Sequence, residues 1–261
     1  LPDVLTALSS ESPCRRAVAA QRLATMPGEN VGRDTAAALG QWPPAVQVVV
    51  LGALVTRADP ATAPAAADLL KSKEETVRVA AARLLQVVAR PENVPALAEL
   101  AAGTGPAADA ALQALARAPA PAFEQALVAE AQGAAATARR LTVLRAMGQR
   151  GSTQTVPLAL ALLATPDADA QRASWRVLRD LAGPEHLAAL LKALAATPDG
   201  PGRREAEKAV AECLRREAVA DTACATVLGA LKTAAADARP NLVALLGQCR
   251  SGQACAALVA L

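Results

Sequence analysis

Thr76-Val77-Arg78-Val79-Ala80-Ala81-Ala82-Arg83-Leu84-Leu85 is the stretch on which the reading of this chain turns. With Arg78 as anchor, steps of 31 residues land on Arg16, Gln47, Arg78, Asp109, Arg140 and Gln171, then, after small insertions, on Arg203 and Arg239. Seven residues past the anchors stand Leu23, Leu54, Leu85, Ala116, Met147, Leu178, Val210 and Leu246. A fixed period of this size marks a stacked array, because one unit cannot bury its apolar face alone. The expected fold is an all-α solenoid of about eight two-helix repeats forming a single domain over 1–261. The repeats are expected at 1–28, 29–59, 60–90, 91–118, 119–151, 152–183, 184–217 and 218–251, with a partial one at 252–261.

Within each repeat the first helix (helix A) reads through Val4–Leu8, Asp34–Leu39, Ala65–Leu70, Pro95–Ala101, Phe123–Ala131, Val156–Leu163, Glu185–Leu194 and Ala223–Leu231. Leu8, Leu39, Leu70, Leu163 and Leu231 precede their anchors by eight residues; Val4, Ala66, Leu97, Val128, Ala159, Leu191 and Val227 precede theirs by twelve. That is an i, i+4 apolar stripe. Pro2, Pro64, Pro95 and Pro157 recur near the helix starts, where a missing N–H costs nothing. The second helix (helix B) carries the anchor. Acidic residues such as Glu74-Glu75 and Asp167 precede it, and Arg57, Arg90, Arg117, Arg150, Arg179, Arg215, Arg216 and Arg250 lie near its end, where they oppose the helix dipole. Asp59-Pro60, Arg90-Pro91, Pro119, Gly151, Gly183-Pro184 and Gly252 read as breakers between repeats.

Composition agrees with this pattern. Residues of the hydrophobic class make up 53%, yet Trp42, Phe123 and Trp175 are the only aromatics, so the core must be Ala, Leu and Val. Ala and Leu are the strongest helix formers. A net charge of +3 is too small to announce nucleic acid, and no apolar run reaches the ~18 residues of a membrane span. The chain opens on Leu1 and closes on Gln253–Leu261, which reads as the first helix of a further repeat, so a segment of a larger protein is expected.

An apolar-Arg-x-Ala-Ala opening to the second helix, a proline in the first and a period near 31 resemble bacterial HEAT repeats, closest to the short phycobilisome-lyase type. The resemblance covers essentially the whole chain, and Val77–Leu85 carries its best copy. It implies a right-handed superhelix and a protein-binding or spacer role, with a protein partner or neighbouring domains of the same chain. Gln47, Asp109 and Gln171 replace the anchor Arg, which interrupts any Asp–Arg ladder between repeats. Some HEAT-like families bind di-iron through repeated His-Glu pairs; the single His186 excludes that set, and reads as a polar residue in a first turn. HEAT-like DNA glycosylases need an acidic residue and aromatics near the lesion. Asp109 and Trp175 lie two repeats apart, and Trp175 reads better as core. No bilin site is implied.

No Gly-rich phosphate loop, Gly-x-Ser-x-Gly elbow or His-Glu-x-x-His element occurs, so no catalytic residue, cofactor, metal or small-molecule site is expected. The candidate binding residues form a column five past the anchor: Arg83, Arg145, Arg176 and Lys208, broken by Ala114. If helix B lines a concave surface, these cations form a ridge for an acidic partner or anionic polymer. Residues 139–180 carry seven Arg against three Asp. A solvated helix face with pairs such as Arg176–Asp180 accounts for the same column. Cys213 and Cys249 each lie ten past an anchor, and Cys224 and Cys255 occupy matching places in the following helices A. They can bridge as Cys213–Cys224 and Cys249–Cys255, implying an extracytoplasmic, oxidising compartment. As buried thiols they are ordinary small hydrophobes, compatible with the cytoplasm. The resulting expectation is a non-catalytic scaffold, with a HEAT-like enzyme or a binder of nucleic acid or another anionic polymer as the alternative.

Overall fold

A computed structural model describes residues 1–119, 121–133, 137–198, 200–216, 220–233, 239–249 and 251–260. Arg250 and Leu261, assigned above to a helix end and to the terminal helix, lie outside the described residues. The chain divides into two compact units, Leu1–Arg150 and Gly151–Leu261.

The first unit is a stack of five helical pairs. They are α1–α2 (Pro2–Leu8 and Pro13–Thr25), α3–α4 (Val31–Ala38 and Pro44–Arg57) and α5–α6 (Ala63–Leu69 and Glu75–Val88). Then come α7–α8 (Val94–Ala101 and Pro106–Arg117) and α9–α10 (Pro121–Gly133 and Thr137–Arg150). In the second unit the pairs are α11–α12 (Thr155–Leu163 and Ala168–Leu181), α13–α14 (Leu187–Ala196 and Pro201–Arg216) and α15–α16 (Ala220–Thr233 and Arg239–Leu246). A last helix, α17 (Gly252–Ala260), follows. Successive B helices pack on one another, α2 on α4, α4 on α6, α6 on α8 and α8 on α10, then α12 on α14 and α14 on α16. The A helices form the second layer, as in α7 on α9 and α13 on α15. The described fold is therefore an all-α, solenoid-type repeat stack.

The periodic leucines make the core. Leu23, Leu54, Leu85, Met147, Leu178, Val210 and Leu246 are wholly removed from solvent, and Ala116 nearly so. Each of the buried Leu, Val and Met side chains contributes about 1.5–3 kcal/mol of burial. In the A layer Leu8, Leu39 and Leu70 are buried as expected, whereas Leu163 and Leu231 are only half-buried. Helix α9 also departs from the expected stripe. Phe123, Leu127 and Ala131 face inward and Val128 is half-buried, a shift of one residue that sends the large Phe123 ring into the core. The Arg150 guanidinium lies over that ring, 5.7 Å from its centre. The prolines read as breakers do more than break. Pro60, Pro91 and Pro184 each open a 3-10 turn that runs directly into helix A.

Five of the eight anchors, Arg16, Gln47, Arg78, Gln171 and Arg203, bond within their own repeat. The last carbonyls of a helix have no partner within it. Arg78 Nη1 reaches back to the turn between α5 and α6, donating to Ser72 O at 2.7 Å and Lys73 O at 3.0 Å. Arg16 does the same to Ser10 O and Glu11 O at 2.8 and 3.0 Å, and Arg203 to Thr197 O at 2.8 Å. Glutamine serves equally well. Gln47 Nε2 donates to Leu39 O at 3.0 Å, and Gln171 Nε2 to Leu163 O and Thr165 O at 3.2 and 2.8 Å. Asp109 has no proton to give, and its turn is closed instead by Gly105 at φ 91°, a conformation glycine adopts without penalty.

A second set of arginines joins repeats. Arg57 donates to Met26 O at 2.6 Å and Gly28 O at 2.7 Å. Arg150 Nη1 donates to Leu115 O, Ala116 O and Ala118 O at 3.2, 3.2 and 2.8 Å, and Arg216 to Asp180 O at 2.8 Å. These residues were expected to cap their own helices. They cap the exposed carbonyl end of the preceding B helix, so the dipole they oppose belongs to the neighbouring repeat.

Candidate binding surface

The four column residues all stand on exposed faces of B helices. In the first unit Arg83 lies on α6 and Arg145 on α10; α8 runs between them with Ala114 buried at the matching position. Neither guanidinium makes a hydrogen bond or ion pair among the described residues. In the second unit Arg176 on α12 is likewise without a partner, but Lys208 on α14 donates to Glu205 Oε1 at 3.1 Å. The expected Arg176–Asp180 pair is absent, because Asp180 turns to Arg179 at 3.2 Å. Arg172 is held by Asp169, and Arg179 also approaches Glu205 at 3.7 Å. The column is thus partly neutralised in the second unit and open at Arg176.

One residue missing from the sequence reading belongs to this surface. Arg204, one past its anchor and one helical turn before Lys208, is exposed and unpartnered among the described residues. An i, i+4 pair of cations, Arg204 with Lys208 and Arg172 with Arg176, is visible in the sequence. Arg204 and Lys208 line one wall of a cleft of about 340 Å³ between α14 and α16, together with Glu207, Ala211, Asn241, Ala244, Leu245 and Gln248. A second cleft, of about 410 Å³, lies between α1 and α2, with Val4, Ala7, Cys14, Val18 and Ala19 among its lining residues. Neither cleft was expected from the sequence.

The remaining candidates have structural roles. Trp175 is 1% exposed and belongs to the core of the second unit. Trp42 is half-buried and ends the 3-10 turn after α3. His186 Nδ1 lies 3.2 Å from Gly183 N and 3.1 Å from Glu185 Oε1, inside the turn before α13. Among the described residues no three His, Cys, Asp or Glu side chains gather as a metal would require, and no helix is long and apolar enough to cross a membrane.

All five cysteines are free thiols. The bridges Cys213–Cys224 and Cys249–Cys255 are not formed. Cys213 Sγ donates to Gly183 O at 3.2 Å, one repeat back, and Cys224 is wholly buried. Burial, and then the neighbouring Cys224, push the Cys249 thiol above its ordinary range, while Cys255 is exposed. Cys213, Cys224 and Cys249 thus pack as small apolar groups in the core columns.

Residues 124–211 match the family described as HEAT repeats. No curated protein matches the chain. Among solved structures, an engineered protein is 19% identical, with 98% of this chain and 80% of that one covered and a TM-score of 0.45. The complex of CpcE and CpcF of phycocyanin lyase from Nostoc sp. is 20% identical over 94% of this chain and 93% of that one, TM-score 0.37. Human deoxyhypusine hydroxylase is 16% identical over 95% and 94%, TM-score 0.37. On the family match and on the helical pairs it falls across, residues 124–211 of this chain are HEAT repeats.

Proposed function

We propose that the chain is a non-catalytic interaction or spacer module that offers the exposed faces of its B helices to a protein partner or to a neighbouring domain. One observation supports this best. Arg16, Arg57, Arg78, Arg150, Arg203 and Arg216 are used inside the fold, each donating to backbone carbonyls. Arg83, Arg145, Arg176 and Arg204 stand exposed with no partner among the described residues. Guanidinium groups left over from the architecture are suited to carboxylates, which they hold in bidentate pairs.

Panning a random dodecapeptide library against the chain tests this reading. Enrichment of acidic peptides that lose binding at higher ionic strength is the expected result. The alternative, a binder of nucleic acid or another anionic polymer, predicts that duplex DNA or heparin binds with a steep salt dependence while no peptide enriches. The burial of Trp175 favours the first reading, since base stacking needs an accessible aromatic face.

A further inference from the structure

The geometry points to the cleft between α14 and α16 as a binding site for an extended peptide bearing an acidic side chain, and we infer that this is where such a partner enters the second unit. The inference rests on the interaction-module reading above and narrows it to one place and one ligand chemistry.

The cleft is flanked by α14 on one side and by α16 and the turn after it on the other. Ala211, Ala244 and the buried Leu245 give it small, apolar lining, and Ala244 occupies the column position where α12 and α14 carry Arg176 and Lys208. A methyl group stands where a long cation would otherwise fill the space. The volume of about 340 Å³ lies within the range of ligand-binding clefts.

The polar groups on the two walls are complementary in kind. On α14, Glu207 approaches Arg203 at 3.7 Å and Lys208 donates to Glu205 at 3.1 Å, so two of the three charged lining residues already have partners. Arg204 has none among the described residues, and it is the group that would receive a carboxylate. Across the cleft, Asn241 and Gln248 make no side-chain hydrogen bond among the described residues. An amide side chain offers one carbonyl acceptor and an N–H donor group, the same complement that every peptide unit presents. Asn241 stands on α16 and Gln248 in the turn just past its end, so the cleft is lined by one amide from the helix and one from the turn. A helical ligand has no free backbone groups to meet these amides. A nucleic acid would find Glu207 against its phosphates and no aromatic among the lining residues to stack on.

The test is fluorescence anisotropy on the full chain with a labelled (Gly-Glu)4 peptide, against (Gly-Gln)4 and (Gly-Lys)4. The parent should bind (Gly-Glu)4 at least tenfold more tightly than either control. Ala244→Trp, which fills the cleft from an exposed position, and Arg204→Glu should each weaken that binding at least tenfold. Asn241→Ala should weaken it severalfold, and Arg15→Glu, in the other unit, should leave it unchanged. Equal affinity in Ala244→Trp and the parent, or no binding of (Gly-Glu)4, overturns the inference. Tighter binding of a single-stranded oligonucleotide that Ala244→Trp abolishes would keep the site and overturn the ligand class. If library peptides bind the chain but resist Ala244→Trp, the cleft assignment fails while the interaction-module reading stands. If no peptide binds at all, both fail.

Discussion

The third and fourth repeats stand side by side in the first unit and close their internal turns in opposite ways. Between α5 and α6 the Arg78 side chain supplies protons to Ser72 O and Lys73 O. Between α7 and α8 the anchor is Asp109, which can only accept, and the backbone bends through Gly105 at φ 91°. The same columns differ elsewhere: the wholly buried Leu85 of one repeat is matched by Ala116 in the other. The comparison teaches that the repeat specifies tasks rather than residues. A turn needs its orphan carbonyls answered or its backbone freed, and either route yields a pair of the same shape.

The largest effect expected from breaking this comparison is at Leu85. Leu85→Asp buries a charge without a partner and removes a leucine, so chemical denaturation should show a loss of at least about 3 kcal/mol. Ala116→Gly, on the matching column, should cost about 1 kcal/mol, the helix-propensity difference. Arg150→Ala comes next. It frees three carbonyls at the end of α8 and exposes the Phe123 ring, and a loss of about 2 kcal/mol is expected. Gly105→Ala forces a side chain into the left-handed region and brings its Cβ to 3.1 Å from Glu75 Oε1. A cost of about 1 kcal/mol is expected there. The same change at Gly133, whose Cβ meets nothing within 4 Å and whose φ is not positive, should be neutral or slightly stabilising.

The smallest effect separates surface pairs from the internal latches. Hydrogen bonding to Arg215, with help from Arg216, holds the Glu212 carboxyl below its ordinary value of 4.5. A depressed folded-state value means the contribution is present above that ordinary value and is lost as pH falls through the lowered one. Glu212 is half-buried but its main partner Arg215 is exposed, so solvent screens the contribution. Glu212→Gln should therefore match the parent in thermal unfolding at pH 2 and fall slightly below it at pH 7. A larger deficit at pH 2 would reverse the sign.

Much of the fold was legible because it depends on period alone. The column seven past the anchor is buried in all eight repeats, and the prolines at Pro2, Pro64 and Pro95 sit within the first two helical positions. What period does not carry is direction. Arg57 and Arg150 read as caps of their own helices, because a side chain's reach into the preceding repeat depends on how the repeats stack. The one-residue shift of α9 depends on the size of Phe123, which a two-letter apolar pattern does not weigh. In the candidate surface, the exposure of Arg83, Arg145, Arg176 and Lys208 follows from helical phase. The loss of Lys208 to Glu205, and the freedom of Arg204, are set by which rotamers meet across one turn of α14. The cleft beside them is lined by Ala211 of one repeat and Ala244 of the next, a juxtaposition that period alone does not announce.

The central claim is that an Arg or Gln anchor works by donating hydrogen bonds to the turn behind it. Urea unfolding of Arg78→Met and Arg78→Gln measures this most directly, since both keep an extended side chain and only one keeps a donor. Arg78→Gln should stay within about 0.5 kcal/mol of the parent, as the natural Gln47 and Gln171 latches imply. Arg78→Met should lose about 1–2 kcal/mol, leaving Ser72 O and Lys73 O without their donor. Equal stability of the two variants would contradict the account and make the column a matter of packing alone.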